Sequence, residues 1–188
     1  MISQVQSSYQ MPAAGDARRE GGPDITDTNL RRQIATLLPE LRGFARFLAR
    51  DRAAADDLVQ DAVMRALAAL GQFQPGTSLK AWMFTILRNA FYEQVRRSKR
   101  EAAAIEAFDA EDHAEPQQDA RSDINDLQEL IWTLPPLLRE ALILVGAQEL
   151  SHDEAAAVCN VPVGTMKARL SRARVALAQA VQDAEASA

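Results

Sequence analysis

Apolar residues return every three or four positions along most of this chain rather than at every second one. Leu37, Leu41, Phe44 and Leu48 form one series, and Leu58, Val59, Ala62, Val63, Ala66, Leu67 and Leu70 form the next. Spacing of this kind lines one face of a helix. Leu79, Trp82, Met83, Ile86, Leu87 and Ala90 make a third stripe, and Ile124, Leu127, Leu130 and Ile131 a fourth. The pattern predicts an all-α protein of two small helical domains.

Breakers place the boundaries. Pro39 fits a helix first turn, where its missing N–H costs nothing. The stretch 50–55 reads as the break between two packed helices, and Gly71 to Ser78 as a loop, with Pro75-Gly76 inside it and Ser78 as N-cap. Leu134-Pro-Pro136 stops one helix and starts a short buried one over Leu137 to Ala147. The final helix runs through Val175, Leu177 and Val181 before fraying. Two segments lack the stripe. Residues 1–27 are polar and read as a disordered leader. Residues 101–122 are acidic, contain Pro116, and read as a flexible linker between a domain over 28–100 and another over 123–188.

Alanine and leucine dominate a composition that is 47% hydrophobic, which supports buried helical cores. A single cysteine, Cys159, excludes an internal disulfide. No apolar run approaches the roughly 20 residues that span a bilayer, and no secretory signal opens the chain. A cytoplasmic protein without a membrane role is expected.

Charge changes this picture more than composition does. The net value is −5, yet Lys80 to Arg100 carries six bases against the one acid Glu93. Glu101 to Glu129 then holds ten acids and only Arg121 as a base, and Val163 to Arg174 has four bases and no acid. Local field, not the total, decides where a phosphate backbone can sit.

The sharpest chemistry lies in residues 151–174, which read as helix, turn, helix. Ala155 and Ala156 are small where two helices cross closely. Asn160 suits a left-handed turn, Pro162 cannot extend the preceding helix, and Met166 and Leu170 point inward. Lys167, Ala168, Ser171 and Arg172 then face a DNA groove, with Arg169 and Arg174 toward the backbone and Thr165 at the helix start. The alternative, a helical hairpin with a solvated basic face, leaves the joint pattern unexplained.

Phe73 to Arg100 interleaves rings and bases, an arrangement suited to opening or single-stranded DNA. Phe73, Trp82, Phe84, Phe91 and Tyr92 are the rings, with Trp82 and Phe91 near the apolar stripe and open to core packing. Phe73 in the loop and Asn89 on the exposed face could hold a base drawn from the stack. Asp56, Asp57, Gln60, Asp61 and Arg65 lie opposite an apolar stripe; as bare pattern they read as a solvated face. His113 and His152 have no ligand-spaced neighbours, so neither a metal, a cofactor nor catalysis is expected.

Three strings together, Ala55-Asp-Asp-Leu-Val-Gln-Asp-Ala-Val-Met-Arg-Ala-Leu67, Ser78-Leu-Lys-Ala-Trp-Met-Phe-Thr-Ile-Leu-Arg-Asn89 and Val163-Gly-Thr-Met-Lys-Ala-Arg-Leu-Ser-Arg-Ala-Arg174, resemble the extracytoplasmic-function (group 4) sigma factors of the sigma-70 family. Phe73-Gln-Pro-Gly-Thr-Ser-Leu-Lys-Ala-Trp82 and Arg139-Glu-Ala-Leu-Ile-Leu-Val-Gly-Ala147 are similar to the alphaproteobacterial general-stress-response (EcfG-type) subgroup. The resemblance implies a region 2 bundle and a region 4 helix-turn-helix. It implies core RNA polymerase as partner, with Asp56, Asp57, Gln60, Asp61 and Arg65 on the largest-subunit clamp helices and the second domain near the flap. It implies promoter DNA as the second partner. Phe73, Lys80, Trp82, Arg88, Asn89, Tyr92, Arg96 and Arg97 would read and melt the −10 element, and the residues from Thr165 to Arg174 named above would read −35. A NepR-type anti-sigma factor is the implied regulator, with no small-molecule substrate. One departure is Trp82-Met83, where housekeeping relatives carry paired aromatics. A LuxR-like helix-turn-helix regulator acting as a homodimer is the alternative, and it gives the Phe73–Arg100 segment no task.

Overall fold

The computed structural model describes residues 25–106 and 123–186, and side chains only where these are well placed. The leader up to residue 24 and the connector residues 107–122 lie outside the described residues. Among the described residues there are eight α-helices and no strand.

The first unit holds α1 (Ile25–Thr36), α2 (Leu38–Ala49), α3 (Arg52–Ala68) and α4 (Leu79–Glu106). Leu37 keeps a helical backbone between α1 and α2, and Pro39 sits in the first turn of α2. The break after α2 is shorter than the sequence suggests. Arg50 turns the chain with φ 55°, and Asp51 caps α3 by accepting the Ala54 N–H at 2.7 Å. Residues 52–55, expected in the break, are therefore helical: a capping aspartate ends it two residues in. Small residues let these helices approach closely, since Ala45, Ala62 and Ala66 are fully buried beside Leu41, Phe44 and Leu58. A 3-10 turn (Leu70–Gln72) and a loop lead to Ser78, whose Oγ accepts the Ala81 N–H and starts α4.

α4 is 28 residues long and buries more than one face. Met83, Phe84, Leu87 and Ala90 are fully enclosed, whereas Trp82, Ile86 and Phe91 are half-buried. α2 and α3 pack on one side of α4 and α7 on another, so the buried sector is wider than a single stripe. The helix continues through Glu101 to Glu106, which composition alone placed in the connector.

The second unit holds α5 (Asp123–Thr133), α6 (Pro136–Leu142), a π turn (Ile143–Ala147), α7 (His152–Cys159) and α8 (Val163–Ala186). The stretch expected as one helix over Leu137–Ala147 changes hydrogen-bond pattern at Ile143, and Leu137 stands 46% exposed at its start. Arg139 closes the end of α5, donating to the carbonyls of Ile131, Trp132 and Leu134 while its guanidinium lies 3.9 Å over the Trp132 ring. Orphan carbonyls at a helix C-terminus are thus satisfied by a cation.

α7 begins in a complete capping box. The Glu154 N–H donates to Ser151 Oγ, and Glu154 Oε2 accepts the Ser151 N–H at 2.8 Å. The Ser151 hydroxyl holds the Glu154 carboxyl below its ordinary range, and Ser78, which caps α4, and Lys80 in its first turn add to the effect. A carboxyl depressed in the folded state contributes stability above its unfolded pKa, and loses it as pH falls through the lowered folded value. Ser151→Ala should cost about 1 kcal/mol at neutral pH, and less in acid, read from thermal midpoints at both pH values.

Candidate nucleic-acid interface

α7 and α8 meet across Asn160, which sits at φ 51° and ψ 52° in the left-handed conformation. Asparagine reaches this region at little cost. Its N–H bonds the carbonyl of Ala157, and Val161 N–H that of Ala156, so the turn is closed on itself. Ala155 and Ala156 are buried at the crossing as their size requires. Met166, Leu170 and Ala173 anchor the inner face of α8 with 2% exposure or less. Three anchors on one side fix what stands on the other. Lys167, Ala168, Ser171, Arg172 and Arg174 are exposed, while Thr165 and Arg169 are partly covered. Arg172 Nε leans back on the Ala168 carbonyl at 3.3 Å, a solvent-facing bond easily exchanged for another acceptor.

The expected −10 residues divide into two sets. Asn89, Arg96 and Arg97 are exposed along α4. Phe73 and Trp82 are half-buried and pack together with ring centroids 5.5 Å apart, so loop and helix are joined. Lys80 is ion-paired with Glu40 of α2. Arg88 is not open at all: its side chain is 14% exposed and grips Glu140 of α6 with both arms, at 2.6 and 3.2 Å. Burial opposes the Arg88 charge, yet the Glu140 carboxylate more than offsets it and raises the guanidinium pKa. Tyr92 lies beneath this guanidinium, 4.6 Å from centroid to carbon, and burial raises its phenol pKa. The Trp82-Met83 pair offers one ring only, and Met83 is wholly core.

On α3, Asp56, Asp57 and Gln60 form a continuous exposed acidic face. Asp61 and Arg65 are paired at 3.0 Å, and Arg65 also reaches Glu93 of α4 at 2.6 Å. Glu93 is held below the ordinary carboxylate range by Arg65. Arg65 therefore ties the acidic helix to the basic one, and Asp56, though exposed, faces Arg42 of α2 at 3.7 Å, so Asp57 and Gln60 are the more open of the three.

Glu140 escaped the sequence reading. Its signal was a charged pair, Arg139-Glu140, within the apolar run Leu137 to Val145, and nothing local named its partner 52 residues away. Cys159, expected as a small buried hydrophobe, is 5% exposed, and burial with the nearby Glu140 pushes its thiol up to about 12. Among the described residues no group of three or more His, Cys, Asp or Glu could hold a metal ion, and no helix is long and apolar enough to cross a membrane.

Comparison with known proteins bears on this geometry. Residues 34–101 match the family Sigma-70 region 2, and residues 124–177 match Sigma-70, region 4. The chain is 44% identical over 151 residues to the ECF RNA polymerase sigma factor EcfG of Rhodopseudomonas palustris, covering 80% of this chain and 83% of that protein. It is 35% identical over 133 residues to the ECF sigma factor SigC of Mycobacterium tuberculosis, covering 68% and 70%. The sigma factor RpoE of Bartonella quintana, solved with the anti-sigma factor NepR, superposes with a TM-score of 0.71 at 39% identity, over 82% of this chain and 98% of that one. None of these findings favours a LuxR-like regulator. With region 2 matched from the end of α1 into α4 and region 4 from α5 into α8, in that order, the chain belongs to the ECF sigma factors of the sigma-70 family.

Proposed function

We propose that this sigma factor carries core RNA polymerase to promoters of general stress-response genes, reading −35 duplex with α8 and opening −10 with α4 and the Phe73 loop. The observation that carries the reading is the outer face of α8. Met166, Leu170 and Ala173 hold the helix down, so Lys167, Ala168, Ser171 and Arg172 present one groove-shaped row. The exposed Asp56, Asp57 and Gln60 of α3 would dock on the clamp helices of the largest subunit, with region 4 near the flap. Nucleotide addition then belongs to the polymerase, and this chain performs no chemistry of its own.

In this mechanism region 4 binds the −35 duplex first through phosphate and base-edge contacts. Region 2 then traps bases leaving the stack at −10, through Asn89 and the Phe73–Trp82 pair, with Arg96 and Arg97 on the phosphates. The acidic connector would lie toward the polymerase interior, where its charge resembles that of nucleic acid. A NepR-type anti-sigma factor would restrain the chain until stress releases it; the likeness to RpoE, solved with NepR, supports the regulator, and the likeness to EcfG the assignment to that kind of sigma factor.

Asn89→Ala should reduce −10 opening roughly threefold to tenfold, the range expected for one lost hydrogen bond, as read by permanganate reactivity, with core association unchanged. The function itself is tested with purified core polymerase on a genomic library, mapping transcript starts. Starts that share two upstream boxes at constant spacing are expected; starts without shared boxes, or none above core alone, would overturn the reading.

A further inference from the structure

Val175 is the most exposed large apolar side chain among the described residues, at 70%. Leu177, two residues on, packs against the core, so Val175 adds nothing to the seating of α8. A lone exposed valine carries no meaning by itself. Its register does. A helix turns about 100° and rises about 1.5 Å per residue, so positions seven apart share one line about 10.5 Å long. Ala168 and Val175 are seven apart, and both are exposed on the side opposite the buried Met166, Leu170 and Ala173.

Ser171 lies between them on the same outward strip. Arg172 stands on one flank of this line and Lys167 and Arg174 on the other, all three exposed, and no acid occurs from Val163 to Arg174. The strip thus carries apolar side chains along its middle and cations at both edges. Such an arrangement suits the major groove, which is walled by phosphates and floored by base edges. Chemistry narrows what the middle can read. Alanine and valine side chains neither donate nor accept hydrogen bonds. Of the four bases only thymine presents an apolar group in the major groove, its C5-methyl. Against any other base, either side chain would displace water from a polar edge without replacing its hydrogen bond.

We propose that Ala168 and Val175 read thymine C5-methyl groups at two places in the −35 box, about three base pairs apart. The spacing is the helix line of about 10.5 Å set against about 3.4 Å per base pair. The inference rests on the proposed role of α8 at −35 and goes further by fixing which base two of its side chains require. Covering one methyl-sized group corresponds to roughly threefold to fourfold in affinity.

The test uses holoenzyme assembled from the full chain and core polymerase, bound to a promoter defined by its mapped transcript start. Each −35 thymine, on either strand, is replaced in turn by uracil, which pairs identically but lacks the methyl. A second series carries 5-bromouracil, whose bromine fills the methyl's place. Uracil should weaken binding roughly threefold to fourfold at two positions about three base pairs apart, and 5-bromouracil should restore it. In Ala168→Ser the penalty should vanish at one of these positions only, and in Val175→Ser at the other only. Each variant is compared with itself on paired DNAs, so a general loss of fold or affinity cancels. Uracil tolerated throughout the −35 box, or penalties that persist unchanged in both variants, would overturn methyl reading while −35 recognition stands. Holoenzyme indifferent to every −35 substitution, G·C for A·T included, would instead sink the proposed role of α8.

Discussion

Replacing Arg172 with alanine should cut run-off transcription from a cognate promoter by roughly 5- to 150-fold, the equivalent of about 1–3 kcal/mol for one base-reading side chain. The expectation follows from how α8 is held. Met166, Leu170 and Ala173 are buried on its inner face, so the helix cannot roll to present another residue in place of Arg172. Arg172 is exposed and its bond to the Ala168 carbonyl is weak, so its guanidinium is available to a base edge. Discrimination should relax at one position of the −35 box, seen by transcribing a library of single-base promoter variants. Arg174→Ala is the contrast. A phosphate contact carries no sequence information, so its loss should weaken all promoters alike and lower the salt slope by about 1. Equal behaviour of the two variants across the library would reject the assignment of Arg172 to a base.

Phe84→Ala should destabilise the protein by about 3–5 kcal/mol, the range for truncating a fully enclosed phenylalanine. Phe84 is 0% exposed and its ring lies 5.1 Å from that of Phe44, tilted by 43°, so α4 and α2 lose a shared aromatic contact as well as buried area. Domains of this size have only about 5–15 kcal/mol in all. The denaturant midpoint should therefore fall sharply at nearly unchanged slope. Function should fail with it, because Asn89, Arg96 and Arg97 are positioned by the helix that Phe84 anchors. Phe91→Ala, at a half-buried ring, should cost clearly less. A smaller loss at Phe84 than at Phe91 would contradict the packing described for α4.

How far the sequence could be read depends on the range of the interaction concerned. Short-range signals were legible: Asn160 in its left-handed turn, Pro39 in a first turn, the Ser78 cap, and Met166 and Leu170 beneath the recognition helix. These need only a few neighbouring residues. Interactions spanning the chain were not legible. The ring that α4 sends into the core of region 2, against Phe44, is Phe84, while Trp82 and Phe91, nearer the apparent stripe, are half-buried. A single stripe predicts one buried face, and α4 has partners on two. Arg88 looked like an exposed DNA contact because the one acid nearby in sequence, Glu93, is not at a pairing distance along the helix and is taken by Arg65. Its partner, Glu140, belongs to the other unit. Arg139 likewise looked like one more charge, yet it ends α5 through three carbonyls. Burial pushes its pKa down, and the nearby Arg50 adds to this, so the site tolerates the charge for its geometry.

The acidic composition of the chain and its two basic surfaces are compatible once ion pairing within the molecule is considered. Part of the cationic face of α4 is engaged within the molecule, Lys80 by Glu40 and Arg88 by Glu140, and Arg65 of α3 is likewise paired with Glu93 and Asp61. What stays exposed on α8 amounts to a few cations, a modest counterion effect on duplex DNA. Promoter reading by the free chain should accordingly be poor.

The most direct measurement is nuclease protection of a cognate promoter at physiological salt, by the chain alone and with core polymerase. The chain alone should leave the DNA unprotected and remain monomeric, and addition of core should protect −35 and −10 together. Protection of a single symmetric site by a self-associated chain without polymerase would contradict the account.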